Sequence, residues 1–372
     1  MNEKNVLVSG ASFAGLSTAF WMSRLGYNVT VVEVAQGVRL GGTAVNIKGR
    51  TIDIVRRMGL LEQIRTHRMS LRKWEFKDER DETVRALVIR REDEAPSDDE
   101  FEIERTVLLN MLFDTVKDRV EVVFDDSITA LREVNHGIEA TFGKSAPRTF
   151  DLVFGCDGIH SAVRRLWFGD EAQYLHFLGL YFSITIADKL LIERDTAQMF
   201  NVPGKTAMLN AYKNNTDIVL SFASDHEISY DRRDEGEQRR IVAEQFVGVG
   251  WRTAEMLQEV QRSESFYFDK LCQVRMPAWS KGRVALVGDA AYCPSPAAGM
   301  GGSIAIDGAA ALADAMQDND GDFERAFRDY DARFRPFIDE VQAEAVRTGL
   351  ETLVPRTEEA IRARNARTED SF

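Results

Sequence analysis

Apolar positions along this chain follow two rhythms. Asn5–Ser9 (NVLVS) and Asn28–Glu33 (NVTVVE) are short β-type runs, the pattern of strands buried on both faces. Between them Ala14–Leu25 is rich in small residues and is predicted as a helix. Strand, helix and strand in this order make a βαβ unit, whose parallel strands need a right-handed crossover. Arg50–Met58, Leu60–Thr66 and Arg105–Val116 are predicted as helices, and Lys73–Lys77, Thr83–Arg90 and Phe101–Glu104 as strands. Val120–Phe124 and Asp151–Phe154 are expected to rejoin the first sheet around a hairpin-like excursion.

From about residue 177 the rhythm turns to β-type, with Tyr181–Ile186, Thr206–Tyr212 and Ile218–Phe222. Two helical stretches, Glu235–Val247 and Thr253–Gln261, precede the strand-like Phe266–Arg275 and Arg283–Val287. The rest is mostly helical from Ser303, with Pro336 and Pro355 expected to mark kinks or breaks. The predicted fold class is α/β. A doubly wound domain takes residues 1–71, 106–175 and 277–320, a β-rich layer is inserted as 72–105 and 176–276, and C-terminal helices (321–372) bridge both.

Composition narrows the function. A net charge of −13 argues against nucleic acid or an anionic membrane as partner. Cys156, Cys272 and Cys293 are scattered without a CxxC, which suggests neither a disulfide framework nor a zinc site. There is no 18-residue apolar run and no signal-peptide pattern after Met1, so a cytoplasmic protein off the membrane is expected.

Gly10-Ala11-Ser12-Phe13-Ala14-Gly15 follows the first strand and matches GxGxxG except at Ser12. Gly10 suits the tight turn and Gly15 close helix–strand packing. The helix start offers N–H groups to a pyrophosphate, and Ser12 adds a hydroxyl. Glu33 ends the second strand, where a carboxylate can accept from ribose hydroxyls and would repel a 2′-phosphate. Far along the chain, Val284–Val287 runs into Gly288-Asp289-Ala290-Ala291, then Pro294, Pro296, Gly299, Met300, Gly301 and Gly302 before an Ala-rich helix. Asp289 at a strand end can accept from a polyol hydroxyl. The N–H groups at the start of that last helix suit an edge where negative charge collects.

With Cys156-Asp157-Gly158-Ile159-His160-Ser161-Ala162-Val163-Arg164, which is similar to a DGxxSxxR pattern, these motifs stand in the order of a known family. The chain resembles the para-hydroxybenzoate-hydroxylase type of FAD-dependent monooxygenase over essentially its whole length. Within that type it is most similar to the tetracycline-inactivating monooxygenases, through Gly41-Gly42-Thr43, Lys48-Gly49 and the 281–296 segment. The resemblance implies FAD held by Gly10, Ser12, Phe13, Ala14, Gly15, Glu33, Arg39, Gly42, Thr43, Arg105, Asp157, Gly288, Asp289, Pro296, Gly299, Met300, Gly301 and Gly302. Tyr292, Gly302 and Ser303 depart from the family's usual residues after the Gly-Asp-Ala-Ala run.

The resemblance further implies that NAD(P)H docks transiently and reduces FAD, that O2 adds at flavin C4a, and that the hydroperoxide passes one oxygen to a phenolic or polycyclic small molecule. A mobile flavin belongs to the same picture. Substrate contacts are expected from inward faces of the β-rich layer, at Phe182, Met208, Asn210 and Phe222. No catalytic base is assigned, no metal is required, and a monomer is expected. A same-fold reductase or halogenase is an alternative, although Trp21, Trp74, Trp167, Trp251 and Trp279 form no Trp-x-Trp pair. A catalytically inactive flavin- and ligand-binding protein is the other.

Overall fold

The computed structural model describes residues 4–38, 44–69, 71–91, 97–98 and 100–366. Its centre is a six-stranded sheet in the order β17-β18-β11-β1-β2-β7. These strands are β1 (Asn5–Ser9), β2 (Asn28–Glu33), β7 (Glu121–Phe124), β11 (Leu152–Gly155), β17 (Ser280–Lys281) and β18 (Val284–Leu286). All pairings are parallel except the short β17 edge. Val6, Leu7, Val8, Val153 and Phe154 are wholly buried, because helices cover both faces. The helices α1 (Phe13–Arg24), α4 (Arg105–Val116) and α9 (Gly301–Asp318) pack close by, α1 against both of the others. The excursion between β7 and β11 is a three-stranded antiparallel sheet of β8 (Ile128–Val134), β9 (Gly137–Phe142) and β10 (Arg148–Phe150).

The second large sheet has seven strands in the order β16-β12-β15-β14-β13-β4-β5. They are β4 (Lys73–Lys77), β5 (Thr83–Val88), β12 (Leu175–Ala187), β13 (Thr196–Val202), β14 (Lys205–Tyr212), β15 (Asn215–Ala223) and β16 (Phe266–Val274). One face is covered by α6 (Glu235–Phe246) and α7 (Thr253–Arg262), where Val242, Phe246, Met256 and Val260 meet Tyr181, Leu220, Phe222 and Phe268. The opposite face carries Phe182, Ile184, Met208 and Asn210. On that face Leu180 and Phe182 pack on Leu271, Val354 and Ala297.

Several elements differ from expectation. Val45–Lys48 is a strand, β3, paired antiparallel with β6 (Glu100–Ile103), so the strand expected at 101–104 joins β3 rather than the seven-stranded sheet. β13 carries polar Gln198 and Asn201 within its run, and it forms because β14 and β4 flank it on both sides. Pro336 does not break its helix. α10 (Phe323–Glu344) runs through it, held by buried Phe327, Tyr330, Phe334 and Ile338 on both sides of the proline. Pro355 does follow a helix end, since α11 (Leu350–Leu353) stops before it and α12 (Glu358–Asn365) starts after it. The remaining short helices are α2 (Arg50–Arg57), α3 (Leu61–Thr66), α5 (Ala162–Trp167) and α8 (Asp289–Tyr292).

Candidate functional site

The first glycine corner closes tightly. Gly10 leaves β1 at φ +100°, and its N–H donates to Val32 O at 2.7 Å. A Cβ there would stand 2.6 Å from Cys156 O, and a Cβ on Gly15 only 1.8 Å from Gly10 O. Neither position admits a side chain, which is the close approach the fingerprint needs. Ser12 precedes α1 without capping it, and its hydroxyl accepts from Arg105 Nη2 at 3.2 Å. The Arg105 guanidinium also lies 4.7 Å from the centre of the Phe13 ring, a cation–π contact. Glu33 accepts from the N–H groups of Ala11 (2.8 Å) and Ala35 (2.9 Å), so its carboxylate pins the end of β2 beside the turn.

The distant Gly-Asp corner packs directly on the first. Gly288 has φ +69° and ψ −144°, and its missing Cβ would lie 2.9 Å from Ala14 Cβ and 3.4 Å from Ala305 Cβ. Burial pushes the Asp289 carboxyl up, and the positive charge of Arg105 offsets part of that. Ser295 then takes φ +82°, a 3₁₀ turn spans Pro296–Ala298, and Gly299 is left-handed at φ +64°. Met300 stands before α9, which begins at Gly301. A Cβ on Gly302 would be 2.7 Å from Val45 and 3.3 Å from Phe13, and the Ser303 hydroxyl donates to Asn46 O. Phe13, Ala14, Gly288 and Gly302 thus converge from opposite ends of the sequence. Arg39, Gly42 and Thr43 lie outside the described residues.

The Tyr292 departure leads away from this corner. Its ring enters the core against Trp279 and Phe334, and its hydroxyl meets Tyr330 Oη at 2.9 Å. Two buried glutamines hold the loop that follows. Gln273 Nε2 donates to Pro294 O (3.2 Å) and Gln342 O (2.7 Å), while Gln342 Nε2 donates to Val274 O (2.9 Å) and Cys293 O (3.1 Å). A surface cavity of about 290 Å³ lies on the α10 side of Tyr292, among Val274, Met276, Trp279, Arg335 and Gln342. The glycine corners do not border it, and it takes no part in the site.

The second motif is a rigid loop. Asp157 accepts from Ser161 Oγ and from Val163 N–H at 3.0 Å, and burial raises its pKa against those bonds. Arg164 is wholly buried, and its guanidinium donates to Ile159 O and, at 2.9 Å, to Ala290 O. One side chain therefore ties the DG loop to the Gly-Asp corner. The sequence presents Arg164 as part of a motif, but only the structure reveals this bridging. His160 lies between two carboxylates, with Nδ1 3.1 Å from Glu171 and Nε2 3.3 Å from Asp269 on β16. Burial works against the charged imidazole, but the bonds to Asp269 and Glu171 outweigh it and raise its pKa.

Of the four expected substrate residues, three share a face. Register places Phe182 opposite Ser221, Met208 opposite Val219 and Asn210 opposite Asp217, all away from α6 and α7. Phe222 is a correction. It pairs with Tyr181, stacks on it at 5.3 Å and is 1% exposed beneath α6. Side chains alternate along a strand, so Phe182 and Phe222, one register step apart across the pair, point to opposite faces.

Two abutting corners with no room for a Cβ at Gly10, Gly15, Gly288 and Gly302, an arginine at both of them and an eighteen-residue helix starting at the second fit an adenine–flavin dinucleotide. Fold and site define a flavoprotein of the FAD-dependent hydroxylase class. The FAD binding domain family matches residues 3–321. A flavin-dependent monooxygenase of Legionella longbeachae is 34% identical over 343 residues, covering 90% of this chain and 86% of that protein. The Mycobacterium tuberculosis (strain H37Rv) protein Rv1260 is 38% identical over 343 residues, covering 91% and 92%. The crystal structure of tetracycline destructase Tet(51) superposes with a TM-score of 0.87 at 32% identity, covering 98% of this chain and 95% of that one. The chain belongs to the FAD-binding-domain family of flavin-dependent monooxygenases and is an FAD enzyme of that kind. No helix among the described residues is long and apolar enough to cross a membrane.

Proposed function

We propose that this enzyme uses NAD(P)H and O2 to hydroxylate a phenolic or polycyclic small molecule, with a tetracycline-type antibiotic as the leading candidate. The observation that carries this reading is the likeness to Tet(51), named a tetracycline destructase, across 98% of the chain. Bound FAD supplies hydride acceptance and O2 activation. The glycine corners and Arg105 would hold the cofactor's phosphate and ribityl portions, and Asp289 would accept from a ribityl hydroxyl. The N–H groups at the start of α9 would stabilise negative charge that builds up on the reduced ring. Phe182, Ile184 and Met208 offer an apolar wall that orients a flat ring system and excludes water. Action as a cytoplasmic monomer, where reduced nicotinamide is at hand, fits this reading.

The test is turnover of the FAD-loaded protein with NADH or NADPH over a panel of tetracyclines and phenols, read by mass. A product heavier by one oxygen is expected. Substrate-independent NAD(P)H oxidation with every compound recovered unchanged would overturn the proposal.

A further inference from the structure

Asp217 on β15 is wholly buried, on the same sheet face as Phe182, Met208 and Asn210, directly across the ladder from Asn210. Tyr212 donates to its Oδ1 at 2.8 Å, whereas its Oδ2 is buried with no donor among the described residues. Among the described residues, the other charges that shape it are negative. Burial pushes its carboxyl up to about 7, and Glu104 and Glu102 push the same way. Glu104 immediately precedes Arg105 and is paired with Lys213, which leaves Glu102 and Asp217 without a cation among the described residues.

The location ties this cluster to the flavin corner. Glu102 pairs in register with Asn46 across β3 and β6, and Asn46 O in turn accepts from Ser303 in the first turn of α9. Asn46 Oδ1 is a second buried acceptor with no donor among the described residues. A buried acceptor without a donor calls for a partner, and a ligand is one source of it. The carboxylates are not gathered into a metal-holding group among the described residues. The missing partner is therefore better matched by an organic cation that brings its own N–H bonds.

We propose that Asp217 is a specificity determinant that selects substrates carrying a protonated amine beside the ring system to be oxidised. The inference rests on the hydroxylase reading above and adds the substrate's charge. An ammonium group arriving at Oδ2 lets the carboxyl ionise and closes a charge-assisted hydrogen bond. The neighbouring Glu102 adds attraction that a neutral substrate would not feel.

The test uses FAD-loaded enzyme and a matched pair of probes, tetracycline and its dedimethylamino analogue, which keeps the rings and lacks the basic amine. Affinity is read from perturbation of flavin absorbance, and turnover from product mass. The parent enzyme should favour the amine-bearing probe by about tenfold or more, the size of one charge-assisted hydrogen bond. The near-isosteric Asp217→Asn should bring that ratio to within about threefold, mainly by weakening the amine-bearing probe. Flavin content and circular dichroism report folding. If Asp217→Asn fails to fold, Glu102→Gln should lower the ratio in the same direction. An unchanged ratio in the variants, or a parent enzyme that does not favour the amine, overturns the inference while turnover of either probe leaves the hydroxylase reading standing. Binding of neither probe by FAD-loaded enzyme overturns it too. A protein that takes up no FAD would instead sink the reading beneath it.

Discussion

Replacing Gly288 with alanine tests the contact between the two glycine corners. At φ +69° and ψ −144° a residue with a Cβ is strained, and that Cβ would stand 2.9 Å from Ala14 Cβ with Ala305 behind it. Backbone strain of roughly 1–3 kcal/mol and crowding of roughly 1–3 kcal/mol combine to about 2–5 kcal/mol, since relief of one by a small shift relieves part of the other. Gly299 is the control. It is left-handed at φ +64°, but its Cβ would meet nothing within 4 Å, so alanine there costs only the backbone part, about 1–2 kcal/mol. Urea unfolding of the two FAD-loaded variants, followed by tryptophan fluorescence, measures the difference. Flavin absorbance after gel filtration measures cofactor retention. Gly288→Ala should be the less stable by at least about 1 kcal/mol and should shed flavin, because α1 and α9 must part to admit the methyl. Equal stability of the two variants would refute the claim that the corners are in contact.

Arg164→Met should lower stability by about 2–4 kcal/mol and reduce flavin loading, because the carbonyls of Ile159 and Ala290 lose their donor in a buried place. Arg164→Lys should recover only part, since an ammonium lacks the forked geometry, and thermal denaturation would rank the three proteins. His160 has its pKa raised above 6.5 by Asp269 and Glu171, so its stabilisation is full below that value and fades as pH climbs through the raised one. The melting-temperature gap between parent and His160→Gln should therefore be widest below about pH 6.5 and narrow as pH climbs above it. Phe222→Ala should cost about 3–5 kcal/mol in urea unfolding, with substrate KM little changed in the folded fraction. Met208→Ala on the opposite face should raise KM and cost less than about 2 kcal/mol.

Much of the dinucleotide-binding half was legible in the sequence because its signals are local. Asn5–Ser9, Asn28–Glu33 and Arg105–Val116 depend on runs of apolar residues, and they form where the pattern places them. What escaped was decided by partners distant in the chain. Val45–Lys48 is too short to announce itself and becomes a strand only through β6. Phe222 and Phe182 both fit a buried strand pattern, and only the register between β12 and β15 assigns them to different sides. Pro336 has the local chemistry of a breaker, but a helix packed by aromatics on both flanks tolerates one lost bond. Asp217 offered one signal, an acid opening a β-type run, and nothing in the chain nearby hinted that the charges of Glu102 and Glu104 would act on it.

The paired glutamines have a consequence for any attempt to shorten this protein. The region matched by the FAD binding domain family ends at residue 321, yet Gln342, twenty-one positions further on, supplies donors to the backbone at Val274 and Cys293. A chain cut at that apparent boundary would keep every glycine of the cofactor fingerprint and still lose the brace behind the segment that carries Pro294. The natural unit for expression, grafting or domain exchange therefore includes the long terminal helix, as a buttress without which the cofactor cradle would stand unsupported.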